Sequence, residues 1–535
     1  MLLEQAHHLS TAVRQAVVLY RAGLVPLTRP VDAAGALLAM RRWGTVAGAI
    51  RVAARRNPDA LGLVDDLGEL SFGELDRRSN ALARAWRERG LGEQSVIAVL
   101  CRDHRGLLDA MFASGKIGAR LVLMNTGFAE PALAAVAERE GVDTIVYDAE
   151  FGDLLGAIPG EVRRYLAWTD DADTAHETLE QLIASTDDAD PGRPTSVGAL
   201  VLLTSGTTGT PKGASRHLSS PLPAAQFLDR IPLRTGERTV FGAPLFHGTG
   251  LSQFLLTLAL GSTTITHRRF DPVQTLRSLQ KYQAQELVLV PTMLQRLLQL
   301  GDDVIKRYDT GKLRIVFVAG SALAPEVGNH TIAVFGDVLY NLYGSTEVAV
   351  ASVATPADWK RAPGTVGRAP VGCTVVLCDE DDHKITEPNV TGRVFVRSGL
   401  KFPGYTGGGS KNELDGLLSS GDVGHFDEDG LLFIDGRDDD MIVSGGENVF
   451  PGEVENLLLE HPAVADAAVI GVDDADFGRR LKALIVRADG ADLDVGEVQA
   501  HVRSELARHK VPRDVVFVDE LPRNATGKLL RAELA

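Results

Sequence analysis

Short runs of valine, isoleucine and leucine recur along much of this chain, each followed by a longer stretch with apolar residues at helical spacing. "SVIAVLC", "DTIVYD", "GALVLLTSG", "ELVLVP" and "LRIVFVAG" are the clearest of them. A continuous apolar run of that length has no polar face to offer water, so it predicts a parallel strand covered on both sides by helices. The fold class that follows is α/β, with layered sheets in a large amino-terminal domain and ligands at the carboxyl ends of strands. After residue 370 the rhythm changes to "CTVVLCD", "GRVFVRSG" and "GLLFIDG", which predict a β-rich subdomain of short strands parted by Gly and Asp turns. "DGRDDDMIVSGGEN" then predicts a boundary at about Asp435 to Asp439, and beyond it the pattern resumes as a small α+β domain. The expected divisions are 1–45, 46–435 and 436–535, without an internal repeat.

Composition narrows the function classes. With 535 residues, 44% hydrophobic and 24% charged, the chain reads as an ordinary globular protein of more than one domain. A formal net charge of -16 argues against nucleic acid as a partner, since that partner needs a basic footprint. Cys101, Cys373 and Cys378 form no CxxC pair, so neither a zinc site nor a disulfide framework is expected, and a reducing cytoplasm fits. The start "MLLEQAHHLS" lacks the basic leader and apolar core of a signal peptide, and no apolar run approaches a spanning helix.

One segment runs against the acidic balance. Arg14, Arg21, Arg29, Arg41, Arg42, Arg51, Arg55 and Arg56 are opposed only by Glu4 and Asp32. Here "AVRQAVVLYRAGLVPL" and "AGALLAMRRWG" place apolar residues at helical spacing. Two readings stand: a peripheral membrane or partner-docking helix, and an amphipathic helix packed on its own domain. The sequence leaves the oligomeric state undetermined.

The chemistry starts in "TSGTTGTPKG", residues 204–213, where an apolar strand delivers the chain into a loop of small hydroxyls, glycines and one lysine. Glycines allow close backbone approach, and free N–H groups with hydroxyls can cradle phosphate oxygens; a solvated turn is the plain alternative. The Walker A pattern fails, because Pro211 stands where its glycine belongs and Gly213 where its magnesium-binding hydroxyl belongs.

"LLTSGTTGTPKG", "PLFHGTG", "NLYGSTE", "SGD", "GRDDDMIVSGGENVFPGEVE" and "PRNATGK" follow one another in that order. Together they resemble the signature set of the adenylate-forming superfamily, which includes acyl-CoA synthetases, luciferases and peptide-synthetase adenylation domains. The resemblance spans roughly residues 60 to 530. It implies a large amino-terminal domain, a small mobile carboxyl-terminal one, and ATP, Mg2+ and coenzyme A as reactants. It also implies roles. Ser205, Thr207, Thr208 and Lys212 hold the β- and γ-phosphates, Gly320 and Ser321 wall the adenine, and Asn341 and Tyr343 lie at the base. Thr346 reaches the α-phosphate, Glu347 holds Mg2+, and Asp422 with Arg437 binds the ribose. Lys528 bridges carboxylate and α-phosphate, and Asp439 is the hinge. Gly445, Gly446 and Glu447 line the passage for the CoA thiol, while His247 gates the acid pocket.

For His247 a satisfied core histidine is the competing reading; for Gly445 and Gly446, a hairpin turn; for Asp422 and Arg437, a surface turn. "LSQFLLTLALGSTTI" reads as a helix and strand that wall a pocket for an alkyl or aryl chain, or as ordinary core. The function expected from the resemblance is an AMP-forming acyl-CoA ligase for a medium- or long-chain fatty acid. Aryl acids, a separate carrier protein as acceptor, and an inactive nucleotide-binding scaffold are the alternatives. A peptide-synthetase module is not expected, since the chain stops at Ala535, just past Lys528. "TGGGSKNEL" and "ASRHLSS" depart from the family's usual loops.

Overall fold

The computed structural model describes residues 2–25, 30–170, 176–204, 212–216, 222–399, 404–406, 408, 411–438, 440–444, 447–474, 478–524 and 528–534. Every apolar run quoted above is a strand: Val96–Leu100, Thr144–Asp148, Leu200–Thr204, Glu286–Leu289 and Ile315–Ala319. They fall into two sheets. The first has six strands, running from Arg163–Trp168 through Thr144–Asp148, Val96–Leu100, Arg120–Leu123 and Leu200–Thr204 to an antiparallel edge, Lys212–Arg216. The second has eight, with a parallel centre in which Leu339–Tyr343, Ile315–Ala319, Glu286–Leu289 and Arg238–Phe241 lie side by side.

Helices cover these sheets because their sequences supply one apolar stripe each. Phe72–Glu88 buries Leu75, Leu82 and Trp86 and is fixed at its start by a capping box between Ser71 and Glu74. Phe112 and Phe254 stack within the same core, between Arg105–Ile117 and Gly248–Ala259. Beside it, Cys101, His104 and Asp148 form a buried cluster. His104 places Nε2 2.8 Å from Asp148 Oδ1 and accepts at Nδ1 from the Gly106 N–H, so both ring nitrogens are engaged and the cluster braces two loops.

The β-rich part is an antiparallel sheet of Thr374–Cys378, Gly392–Arg397, Leu417–Phe426 and Leu432–Arg437 with two short flanking strands. Beyond Arg437 the chain leaves it, and Ile442–Ser444 already belongs to another sheet, with Glu447–Val449, Val464–Asp474, Gly478–Arg487 and Asp514–Phe517. That sheet packs on Pro451–Leu459 and Val495–Glu505 around its own core.

Two helices precede all this, Leu2–Arg21 and Pro30–Arg56. The first buries Gln15 and Leu19 against the rest of the protein, with Ala22 just past its end, as the packed-helix reading expects. Its other side, with Val13, Arg14, Val17, Tyr20 and Arg21, is exposed. The second runs through residue 45 and bends at Gly44, whose φ of 76° suits glycine alone. Among the described residues no helix is long and apolar enough to cross a membrane.

Candidate active site

A cavity of about 2030 Å³ opens at the carboxyl ends of the parallel strands and is lined from both the large and the small domain. Its size is about twice the upper end of ordinary small-ligand sites, leaving room for a nucleotide and a second reactant together.

The strand Leu339–Tyr343 delivers the "NLYGSTE" residues to this cavity. Asn341 is buried, and its amide lies 3.4 Å from the Thr365 carbonyl. Tyr343 donates its hydroxyl to Asp422 at 2.5 Å. Asp422 and Arg437 are direct partners across adjacent antiparallel strands, and their charged groups lie 3.5 Å apart. Burial pushes the Asp422 carboxyl above its ordinary range, against the Tyr343 hydrogen bond and the Arg437 charge.

Glu347 is buried at the cavity wall. It accepts from Tyr405 Oη at 2.7 Å and Ser345 Oγ at 2.9 Å. Burial pushes its pKa up, but these hydrogen bonds outweigh burial and hold the group below the ordinary value, hence ionised. An ionised carboxylate is a hard oxygen donor, the type a magnesium ion takes. Thr346 lines the same wall, and a Cβ placed on Gly248 would lie 3.9 Å from its Oγ1. Gly320 holds a φ of 101°, with Thr249 packed where a side chain would begin. Ser321 follows it on the lining.

His247 precedes the helix Gly248–Ala259 and lines the cavity, with Nδ1 buried and unpartnered. Burial first, and then the positive charge of Lys528, push its pKa down to about 4, so the ring is neutral near pH 7. Lys528 lines the same cavity as His247. The Lys528 N–H donates to Asn524 Oδ1, and the Lys528 carbonyl accepts from the Asn524 N–H, both at 2.9 Å. Arg523, beside it, forms a bidentate pair with Asp466. Gln295 of the large domain donates to the Ala465 carbonyl of the small one at 3.0 Å.

Lys212 opens the edge strand and lies 5.0 Å over the ring of Tyr405. Of the residues predicted for the site, His247, Lys212, Gly320, Ser321, Asn341, Tyr343, Thr346, Glu347, Asp422, Arg437 and Lys528 meet in this one cavity. Ser205, Thr207, Thr208, Asp439, Gly445 and Gly446 lie outside the described residues, as does the Glu447 side chain. Tyr405 and Lys411 were missed. Both line the cavity, and Lys411 donates to the Ser420 carbonyl at 3.1 Å. Lys411 lies in "TGGGSKNEL", read above only as a departure from the family's usual loops, and Tyr405 immediately precedes that stretch.

Comparison with known proteins agrees with this geometry. Residues 50–406 match the AMP-binding enzyme family, and residues 453–528 match the AMP-binding enzyme C-terminal domain. The chain belongs to this family of AMP-binding enzymes, the adenylate-forming ligases. It is 32% identical over 482 residues to the indoleacetate–CoA ligase of Aromatoleum aromaticum, covering 87% of this chain and 92% of that one. It is 28% identical to the fatty acid–[acyl-carrier-protein] ligase ScoC of Streptomyces coeruleorubidus, covering 90% and 94%. The o-succinylbenzoate CoA synthetase of Bacillus subtilis, solved with its acyl-adenylate intermediate, superposes with a TM-score of 0.78 at 25% identity over 91% of this chain and 97% of that one.

Proposed function

We propose that this protein converts a medium- or long-chain fatty acid to its acyl-CoA by way of an acyl-adenylate, using ATP, Mg2+ and coenzyme A. The observation that carries the fatty-acid reading is a set of apolar side chains on the cavity lining along the helix Gly248–Ala259, Leu251, Leu255, Leu256 and Ala259, which we take as the acid arm. At 1.5 Å per residue that 12-residue helix is about 18 Å long, a wall suited to an extended chain rather than a single ring.

The reaction joins two anions. An oxygen of the substrate carboxylate attacks the α-phosphorus of ATP, the bond to the β-phosphate oxygen breaks, and pyrophosphate leaves. Resonance and charge make a free carboxylate a poor acyl donor; AMP gives it a leaving group. The work of the protein is to place cations and donors where negative charge concentrates, each worth on the order of 3 kcal/mol. Lys528 lies between the reactants, Lys212 at the departing phosphates with Ser205, Thr207 and Thr208, and Thr346 at the α-phosphate. Glu347 would hold Mg2+ when it is bound, and the ion would supply neutralisation of phosphate charge. Asn341, Tyr343, Gly320 and Ser321 enclose the adenine, and Asp422 with Arg437 takes the ribose.

In the second half-reaction the small domain turns about Asp439, removing Lys528 and bringing in Gly445, Gly446 and Glu447. The CoA thiol, losing its proton to solvent, attacks the acyl carbonyl carbon, and AMP leaves. Neutral His247 stands at the entrance of the acid arm. The assembled set of Lys212, Glu347, Asp422 and Lys528 supports turnover over a nucleotide-binding scaffold.

A second reading is an aryl acid as substrate, supported by the names of the indoleacetate and succinylbenzoate relatives. Carboxylate-dependent exchange of labelled pyrophosphate into ATP separates the two. Straight-chain acids should support exchange better than benzoate or indoleacetate, and the reverse ranking refutes the fatty-acid assignment. Thioester formed with CoA distinguishes the acceptor from a carrier protein.

The first helix supports peripheral attachment to an anionic membrane. Val13, Val17 and Tyr20 stand 56%, 41% and 46% exposed at helical spacing, flanked by Arg14 and Arg21 in a protein otherwise acidic. Co-sedimentation with phosphatidylserine vesicles should fall when Val13, Val17 and Tyr20 are all changed to Ser. Unchanged partitioning removes the membrane assignment.

A further inference from the structure

The cavity does not end within the region matched by the family. Its lining includes Leu24, Met40 and Thr45, all ahead of residue 50, where that match begins. They sit where four elements meet: the first helix packs on Ala224–Leu228, the second on Gly248–Ala259, and Phe227 and Leu255 face the same space.

The bend at Gly44 produces this. A straight helix would carry Met40 and Gly48 about 12 Å apart. Here a Cβ on Gly48 would lie 2.9 Å from the Met40 Cα and the Ala39 carbonyl, so the helix folds back on itself. The fold leaves Met40 and Thr45, on opposite sides of the bend, both on the cavity wall and half-buried. Leu24 is buried with Leu251 and Leu256 in one apolar cluster. A flexible thioether at such a place fills or yields space at little cost.

We infer that the two amino-terminal helices close the acid arm, and that Met40 and Thr45 set the length of acid the enzyme accepts. This rests on the reading that the carboxylate end of the acid lies beside His247. Met40→Trp then blocks the arm, and Met40→Ala deepens it. Each methylene that loses its berth costs roughly fourfold in kcat/KM.

The test is pyrophosphate exchange by wild type, Met40→Trp and Met40→Ala across straight-chain acids from butanoic to octadecanoic, and across phenylacetic to longer phenylalkanoic acids. Met40→Trp should raise KM for the longest acids at least tenfold, leave the shortest within about twofold, and shift the optimum to shorter chains; Met40→Ala should shift it to longer ones. Equal loss for every acid, or an unmoved optimum in both variants, overturns the inference. Should wild type exchange no straight-chain acid, the fatty-acid reading fails, and the phenylalkanoic series judges the wall by the same criterion. If Met40→Trp does not fold, Thr45→Leu carries the same expectation.

Discussion

Tyr405 and Glu347 come from parts of the chain that share no motif, yet the tyrosine hydroxyl lies 2.7 Å from the glutamate carboxylate. The pair ties the stretch of Tyr405, which bridges Ala214 of the edge strand Lys212–Arg216, to the wall of the nucleotide cavity. It also helps keep the carboxyl charged against its burial. A hydrogen bond to a charged group contributes about 1.5 to 3 kcal/mol, so Tyr405→Phe should raise the Mg2+ concentration needed for half-maximal exchange by about tenfold or more. An unchanged Mg2+ dependence at unchanged thermal stability would mean that the tyrosine does not support this carboxylate.

His247 should not titrate in the working range. With its pKa pushed down to about 4 by burial and by the Lys528 charge, the pH profiles of kcat/KM for wild type and His247→Gln should have one shape between pH 5.5 and 8. Removing the charge in Lys528→Ala should raise the histidine's pKa, readable by NMR of the ring protons. A wild-type inflection near pH 6.5 that disappears in the glutamine variant would contradict this placement.

Glu286 predicts a stability effect away from the site. Burial raises its carboxyl pKa to about 8, only partly offset by the hydrogen bond from Thr239 at 2.7 Å. Unfolded, the group ionises near the ordinary pKa of about 4.3, so between that value and 8 the folded state binds more protons. Stability from this group is complete below pH 4.3 and is lost as pH rises through 8. Glu286→Gln should therefore lose less in Tm than wild type between pH 6 and pH 9. Parallel losses would show that this carboxyl is not protonated in the fold.

The strands were legible because burial on both faces leaves an unmistakable apolar run, and Leu200–Thr204 or Ile315–Ala319 needs no tertiary knowledge to be found. Asn341 and Tyr343 were legible for a different reason, the resemblance carried by "NLYGSTE". Tyr405 was not, since its role depends on a bridge between Ala214 and Tyr405 that forms only in three dimensions. The bend at Gly44 was equally hidden: a glycine amid helical spacing reads as a weak point, and nothing local says that Gly48 will meet Met40 across it.

Lys528 carries the central claim, that a cation brought by the small domain screens two repelling anions in adenylation and plays no part in thioester formation. The decisive measurement is the rate of each half-reaction in Lys528→Ala, pyrophosphate exchange on one side and CoA capture of supplied acyl-adenylate on the other. The account predicts exchange lowered by about two or more orders of magnitude, with capture close to wild type. Equal losses in both steps, or undiminished exchange, would contradict it.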